Sequence, residues 1–167
     1  MDLLIVSDTH GRRDRLLEVF GRAPFAAVLF LGDGLRDLDV LPSDTTVRAV
    51  RGNCDFTGAD TPTARVEDFG ICRIFMTHGH TCGVKWSPER AIAAAVEAGA
   101  DVLLYGHTHT PLERTLPAGS VVAGAVTTKP LLILNPGSLG DPREGDPSFA
   151  TLTLRGGIPL AGFGKIK

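Results

Sequence analysis

Val102-Leu103-Leu104-Tyr105-Gly106-His107-Thr108-His109 decides how this chain is read. Four apolar residues without polar alternation describe a strand covered on both faces, as in parallel sheets sandwiched between layers. The glycine and the His-x-His lie just past its C-terminal end, where open α/β sheets place ligands. In extended backbone, residues i and i+2 point to the same side. Both imidazoles are therefore expected to face one cleft, and neutral imidazole is a common metal ligand. Taken alone, the motif reads equally well as a loop histidine pair.

The same arrangement recurs along the chain. Leu3 to Val6 runs into Asp8-Thr9-His10-Gly11, and Ala26 to Leu31 into Gly32-Asp33-Gly34. Thr45 to Val50 ends in Gly52-Asn53-Cys54-Asp55, and Ile71 to Met76 in Thr77-His78-Gly79-His80. Leu131 to Leu134 ends in Asn135-Pro136-Gly137-Ser138. Singly, each terminus is an ordinary turn or helix cap. All five histidines nevertheless follow predicted strands, with Asp8, Asp33 and Asn53 in matching places. Their joint occurrence favours a metal site. Imidazole, carboxylate and amide-oxygen ligands suit Mn²⁺, Fe²⁺, Ni²⁺, Co²⁺ or Zn²⁺, and no cysteine-rich set points to structural zinc. Two ions bridged by one carboxylate would use these residues efficiently. Such a pair lowers the pKa of a bridging water and clamps the oxygens of an in-line displacement at phosphorus.

Two helices are expected. One spans about Arg12 to Gly21, on the periodicity of Leu16, Leu17, Val19 and Phe20. The other starts at Ser87-Pro88-Glu89, runs to Val96 and is stopped by Gly99. Thr63 to Phe69 reads as an exposed strand with a hairpin turn at Asp68-Phe69-Gly70. Ser148 to Leu154 and Ile158 to Lys167 read as further strands, the last at an edge. Asp37 and Asp39 look like solvated charges. Leu116 to Lys129 is either a hairpin or a loop over the cleft. As an irregular excursion between strands, it is expected to affect substrate choice more than folding.

The 167 residues fit one domain, 1–167, large enough for a real core. A net charge of −2 without a long basic run argues against binding long nucleic acid, though not against a nucleotide-like substrate. Three scattered cysteines, Cys54, Cys72 and Cys82, suggest reduced thiols and a cytoplasmic location. The N-terminus lacks the basic region of a signal peptide, and no apolar stretch approaches a membrane span. A homo-oligomer is compatible with the sequence.

Together, Asp8-x-His10, Gly32-Asp33, Gly52-Asn53-Cys54-Asp55, His78-Gly79-His80 and Gly106-His107-Thr108-His109 resemble the calcineurin-like metallophosphoesterases. The motifs occur in that family's order, and the resemblance runs through Asn135-Pro136-Gly137-Ser138. The short length and the Asn-Cys-Asp form resemble its small bacterial and archaeal phosphodiesterase branch. The resemblance implies an α/β fold, a four-layer α-β-β-α sandwich of two facing mixed β-sheets flanked by helices. It also implies two divalent metal ions, manganese foremost. Asp8, His10 and His109 would hold the first, Asn53, His78 and His107 the second, and Asp33 would bridge them. Asp33, Asn53, Cys54 and His80 are the residues expected at the reacting phosphate. Most of the wider family has histidine where Cys54 stands, read as protonating the leaving group. Cys54 is therefore either a substrate contact or a small packed residue. His80 has no ligand role in the pattern; it would face the substrate or orient a ligand.

The implied activity is hydrolysis of a small phosphodiester by a metal-activated water. The alternatives are a phosphomonoesterase, a metal-binding nucleotide sensor, and a non-catalytic scaffold resembling the eukaryotic retromer subunit, which binds partners over a degraded metal site. All seven candidate ligands are present here, which favours catalysis.

Overall fold

A computed structural model describes all residues, 1–167. Fourteen helices and strands follow in order. They are β1 (Asp2–Val6), α1 (Arg13–Phe20), β2 (Ala27–Phe30), β3 (Val47–Ala49), β4 (Ala64–Asp68), β5 (Arg73–Thr77) and α2 (Glu89–Glu97). Then come β6 (Val102–Tyr105), β7 (Pro111–Leu116), β8 (Val121–Val122), β9 (Ala125–Val126), β10 (Leu131–Pro136), β11 (Ser148–Arg155) and β12 (Ile158–Lys165). One five-stranded sheet has the order β12-β11-β1-β2-β3 and the other β4-β5-β6-β10-β7. Each combines a parallel centre, β1-β2-β3 or β5-β6-β10, with antiparallel flanking strands.

Alternation across the central strands explains why they read as unbroken apolar runs. Leu3, Ile5 and Leu29 from one sheet meet Ile74, Met76 and Leu104 from the other, so these faces form the inner core. Leu4, Val6 and Phe30 point the opposite way and pack on Leu16 and Val19 of α1. Leu103, Tyr105 and Ile133 likewise pack on Ala91, Ile92 and Ala95 of α2. Both faces of each sheet's centre are covered, which gives the four-layer α-β-β-α sandwich. The Ser87 hydroxyl accepts the Glu89 N–H at 3.3 Å, and Gly99 ends α2 with φ 67°. The parallel strands of the two sheets deliver six loop segments to one edge, and the candidate site lies there.

One expectation is corrected and one open alternative is settled. Asp37 is not a solvated charge. It is buried, and its Oδ2 accepts the Thr9 hydroxyl at 2.5 Å and the Gly11 N–H at 2.9 Å. A carboxylate that satisfies backbone and hydroxyl donors across the β1–α1 loop tolerates burial. Asp39 is exposed, as expected.

Residues 116–129 form a hairpin, not a cover for the cleft. Ala123 (φ 47°) and Gly124 (φ 81°) make the two-residue turn between β8 and β9, both in the left-handed region such turns require. Val122 packs on the α2 cluster, and the buried Thr127 donates its hydroxyl to the Pro117 carbonyl at 2.8 Å. Lys129 pairs with Asp101 at 2.6 Å, just before β6 begins and so at the end of the sheet away from the site. Replacing residues 117–128 with a short turn is therefore expected to cost about 1–3 kcal/mol. Tm should fall by roughly 2–4 °C per kcal/mol, with relative rates across substrates unchanged. Thermal melts with a substrate panel check this; altered substrate ratios at an unchanged Tm would contradict it.

Candidate metal centre

Two groups of donor atoms form at the sheet edge. Asp8 Oδ1 lies 3.1 Å from His109 Nε2 and 3.7 Å from His10 Nε2, and the two Nε2 atoms are 3.3 Å apart. In the second group, His78 Nε2 lies 3.0 Å from His107 Nδ1, 3.1 Å from Asn53 Oδ1 and 3.3 Å from Asp33 Oδ2. Asp33 also clusters with His10 and Cys54, their donor atoms within 4.8 Å of one another. It therefore stands between the two groups. The structure brings together all seven residues singled out from sequence as metal ligands. Cys54 is exposed on the cleft, not a packed residue. The His80 ring lies 5.3 Å from that of His78 and 6.1 Å from that of His107.

The route to this convergence is not the extended backbone expected for His-x-His. Asp8 (φ 53°), His10 (44°), Asp33 (59°), His107 (68°) and His109 (59°) all have left-handed backbone. Such residues each cost about 1–3 kcal/mol and persist where the surroundings over-determine them. These surroundings do. Asp55 accepts N–H bonds from Asp33, Gly34, Leu35 and Gly52 at 2.8–2.9 Å, tying the loop after β2 to the loop after β3. A Cβ on Gly52 would overlap Asp33 Oδ1 and sit 2.6 Å from its backbone nitrogen, so only glycine lets these loops close up.

Asn135, fully buried, donates from Nδ2 to the Gly106 carbonyl at 3.2 Å and to Thr108 Oγ1 at 3.0 Å. Ser138 donates to the Asp8 carbonyl at 2.8 Å, and the Asp141 carbonyl accepts from His109 Nδ1 at 2.5 Å. The sequence alone does not show these supporting roles. The Asn-Pro-Gly-Ser motif was visible, but its partners lie as far as 130 positions away in sequence.

The donor chemistry fits a cation. His78 Nδ1 is 2.7 Å from the Leu31 carbonyl and must carry its proton there. In the neutral ring this leaves Nε2 with a lone pair facing a carboxylate, an amide oxygen and another imidazole nitrogen. His109 is held in the same way through Nδ1, so its Nε2 lone pair faces Asp8 and His10. Ligating histidines are typically fixed by such a hydrogen bond from the far nitrogen. Asp8 Oδ2 accepts from Ser7 at 2.5 Å and from His107 N at 3.1 Å, while its buried Oδ1 has no hydrogen-bond partner. A buried carboxylate oxygen aimed at converging lone pairs calls for positive charge.

Protons supply that charge where no cation does. Burial opposes ionisation of Asp8, yet His10 and His109 hold its carboxyl below the usual range. Burial likewise disfavours charge on Asp33, and His78 outweighs it and lowers the carboxyl. The neighbouring Asp8 carboxylate raises His10. Burial works against charge on His78, but Asp33 raises it. Burial, then His78 and Lys85, lower His107 to about 4, which keeps it a neutral imidazole ready to ligate.

A family model for the calcineurin-like phosphoesterase superfamily domain matches residues 1–157. The chain belongs to this superfamily. It is 33% identical over 156 residues to YsnB of Bacillus subtilis, named "Probable metallophosphoesterase", covering 92% of this chain and 85% of that one. It is 30% identical over 178 residues to Phosphodiesterase YfcE of Escherichia coli, covering 89% and 84%. The solved structure of YfcE, titled a phosphoesterase, superposes with a TM-score of 0.65 at 28% identity over 92% and 88% of the two chains. Vps29 of Entamoeba histolytica, solved in complex with zinc, superposes with a TM-score of 0.72 at 21% identity over 99% of each chain, a likeness of fold. No helix is long and apolar enough to cross a membrane.

Proposed function

We propose that the protein is a metal-dependent phosphodiesterase that hydrolyses a small phosphodiester at a dinuclear centre. Asp8, His10 and His109 would hold one divalent ion, Asn53, His78 and His107 the other, and Asp33 would serve both. The observation that carries this reading is the pair of donor groups sharing Asp33, with lone pairs and the unpartnered Asp8 oxygen turned toward one another. When bound, the ions make water nucleophilic at neutral pH and neutralise charge developing at phosphorus.

The chain's own contribution is positioning. The Cys54 N–H donates to Asp33 Oδ1 at 2.7 Å and orients the bridging carboxylate. Leu31 and Asp141 fix the tautomers of His78 and His109. Asn53, Cys54 and His80 are the residues that would meet the phosphoryl group. Completeness of the ligand set supports an enzyme over a scaffold, and the relationship to YfcE supports diesters as substrates.

The test is metal analysis and turnover of diester and monoester panels with Mn²⁺, Ni²⁺, Fe²⁺, Co²⁺ and Zn²⁺. The expected result is two ions per chain and faster hydrolysis of diesters. Preferred monoester turnover would favour a phosphomonoesterase; two tightly held ions without turnover would favour a scaffold.

Metal affinity is expected to fall as pH falls through neutrality. His10 and His78 are raised above the ordinary imidazole value, so each carries more proton near neutral pH than a free histidine does. A metal must displace those protons. Raising pH removes the competitor and tightens binding, whereas His107, already neutral, releases almost nothing. Calorimetry in buffers of different ionisation enthalpy should register proton release on Mn²⁺ binding near pH 6.5, diminishing toward pH 8. Affinity independent of pH across that range would contradict the assignment.

A further inference from the structure

Beside the donor groups lies an open cleft of about 430 Å³ whose lining includes His10, Asp33, Arg36, Cys54, Phe56 and Thr57. Its volume falls within the range of small-molecule sites. The Phe56 side chain is 94% exposed, although the loop beneath it is firmly tied down. Its neighbour Asp55 binds four backbone amides, and Thr61 N donates to the Gly58 carbonyl at 2.8 Å. A rigidly based loop that presents a bare phenyl ring to a polar cleft offers a surface for stacking.

Arg36 stands on the opposite loop. Its Nε donates to Thr57 Oγ1 at 3.2 Å, and its terminal nitrogens make no hydrogen bond or ion pair. The nearby acids do not neutralise it. Asp37 is committed to Thr9, Gly11 and Arg13, and Asp55 to the loop amides. The cleft thus offers one free guanidinium and one free aromatic face next to Cys54 and Asp33. Aromatic rings stack on nucleobases irrespective of base identity, and guanidinium groups bind phosphate oxygens.

We propose that Arg36 and Phe56 form a nucleotide-recognition arm, so that the substrate is a phosphodiester with a nucleobase on this side. The base stacks on Phe56, and Arg36 takes a further anionic group of the same arm. This rests on the phosphodiesterase reading for the chemistry, but the arm is a binding surface and can be probed separately.

The experiment is calorimetric titration of Mn²⁺-loaded protein with AMP, ADP and ribose 5-phosphate, together with saturation-transfer NMR of adenosine on metal-free protein. AMP is expected to bind about 10-fold more tightly than ribose 5-phosphate, the order of one base–aromatic stack. Phe56→Ala should remove that advantage and the adenosine contacts, while Phe56→Trp should restore both. ADP is expected to bind more tightly than AMP, and Arg36→Gln should remove that difference. Trp86→Ala, which alters an equally exposed aromatic outside the cleft lining, should change neither. If AMP and ribose 5-phosphate bind equally while simple diesters are still hydrolysed, the recognition arm is refuted and the enzyme reading stands. If Phe56→Ala loses the adenosine contacts but no diester is hydrolysed, the arm stands and the enzyme reading fails. Loss of the AMP advantage in Trp86→Ala would move the stacking surface and overturn the proposal.

Discussion

Asp33→Asn is expected to lose both metal ions and at least about 10³-fold in kcat/KM, or about 4 kcal/mol of transition-state stabilisation, while keeping its fold. Asparagine suits this test because it separates charge from shape. It tolerates left-handed backbone, which the φ of 59° at this position demands. Its side-chain oxygen can still accept the Cys54 N–H, now 2.7 Å from Asp33 Oδ1. What disappears is the negative charge and the second carboxylate oxygen, which lies 3.3 Å from His78 Nε2. If that carboxylate serves both ions, its loss leaves each site one anionic ligand short. Asp33→Ala removes the same charge and also strands the Cys54 N–H, so its metal-free Tm should fall below that of Asp33→Asn. Metal content after gel filtration in chelator-buffered Mn²⁺, read beside turnover and melting, checks all three statements. A folded Asp33→Asn protein that retains two ions and full activity would remove Asp33 from the bridging position.

Much of this architecture was legible from the chain because β1, β2, β6 and β10 are buried on both faces and run into chemically unusual residues. Leu3 to Val6 and Val102 to Tyr105 could be read as strands because layers cover both their faces, and no solvent side introduces polar residues. The donor residues stood out because histidine is scarce here and all five copies sit at strand ends. What was illegible is long-range or local in a way composition hides. The burial of Asp37 depends on Thr9, Gly11 and Arg13, more than twenty positions away, and no pattern around Asp37 announces them. The left-handed backbone at five donor positions runs against local preference, and tertiary hydrogen bonds from Asp55, Asn135 and Ser138 hold the loops that carry them. Residues 116–129 are rich in small and turn-forming residues, which describes a loop and a short hairpin equally well. Packing of Val122 on α2 decides between them.

Hydrolysis is also expected to depend steeply on the leaving group, because Cys54 stands where a protonating imidazole is expected. The departing oxygen of an alkyl diester needs a proton, whereas a nitrophenolate leaves readily without one. General acid catalysis is worth about 10²–10⁴-fold where it operates. The Cys54 thiol faces the cleft, but burial, then Asp33, push its pKa above the ordinary thiol value. It remains an S–H, which is a weak donor. His80 is the other candidate acid. Burial, then His78, lower its pKa, so at neutral pH the ring is mostly unprotonated and short of the proton it would have to give. Neither group relieves the charge on a poor leaving group well. Cys54→His is therefore expected to speed hydrolysis of alkyl diesters by about 10-fold or more, a fraction of the full general-acid effect. Activated aryl diesters should be almost unchanged. The exposed position of Cys54 leaves the larger ring room to point into the cleft. Cys54→Ala should cost little on aryl substrates, because the Asp33 contact comes from the backbone N–H, which alanine retains. The measurement is kcat/KM against leaving-group pKa for a series of aryl and alkyl diesters with wild type, Cys54→His, Cys54→Ala and His80→Ala. A steep wild-type line that flattens in Cys54→His is the expected result. A shallow wild-type line made steep by His80→Ala would place the acid at His80, and the inference from Cys54 would fall.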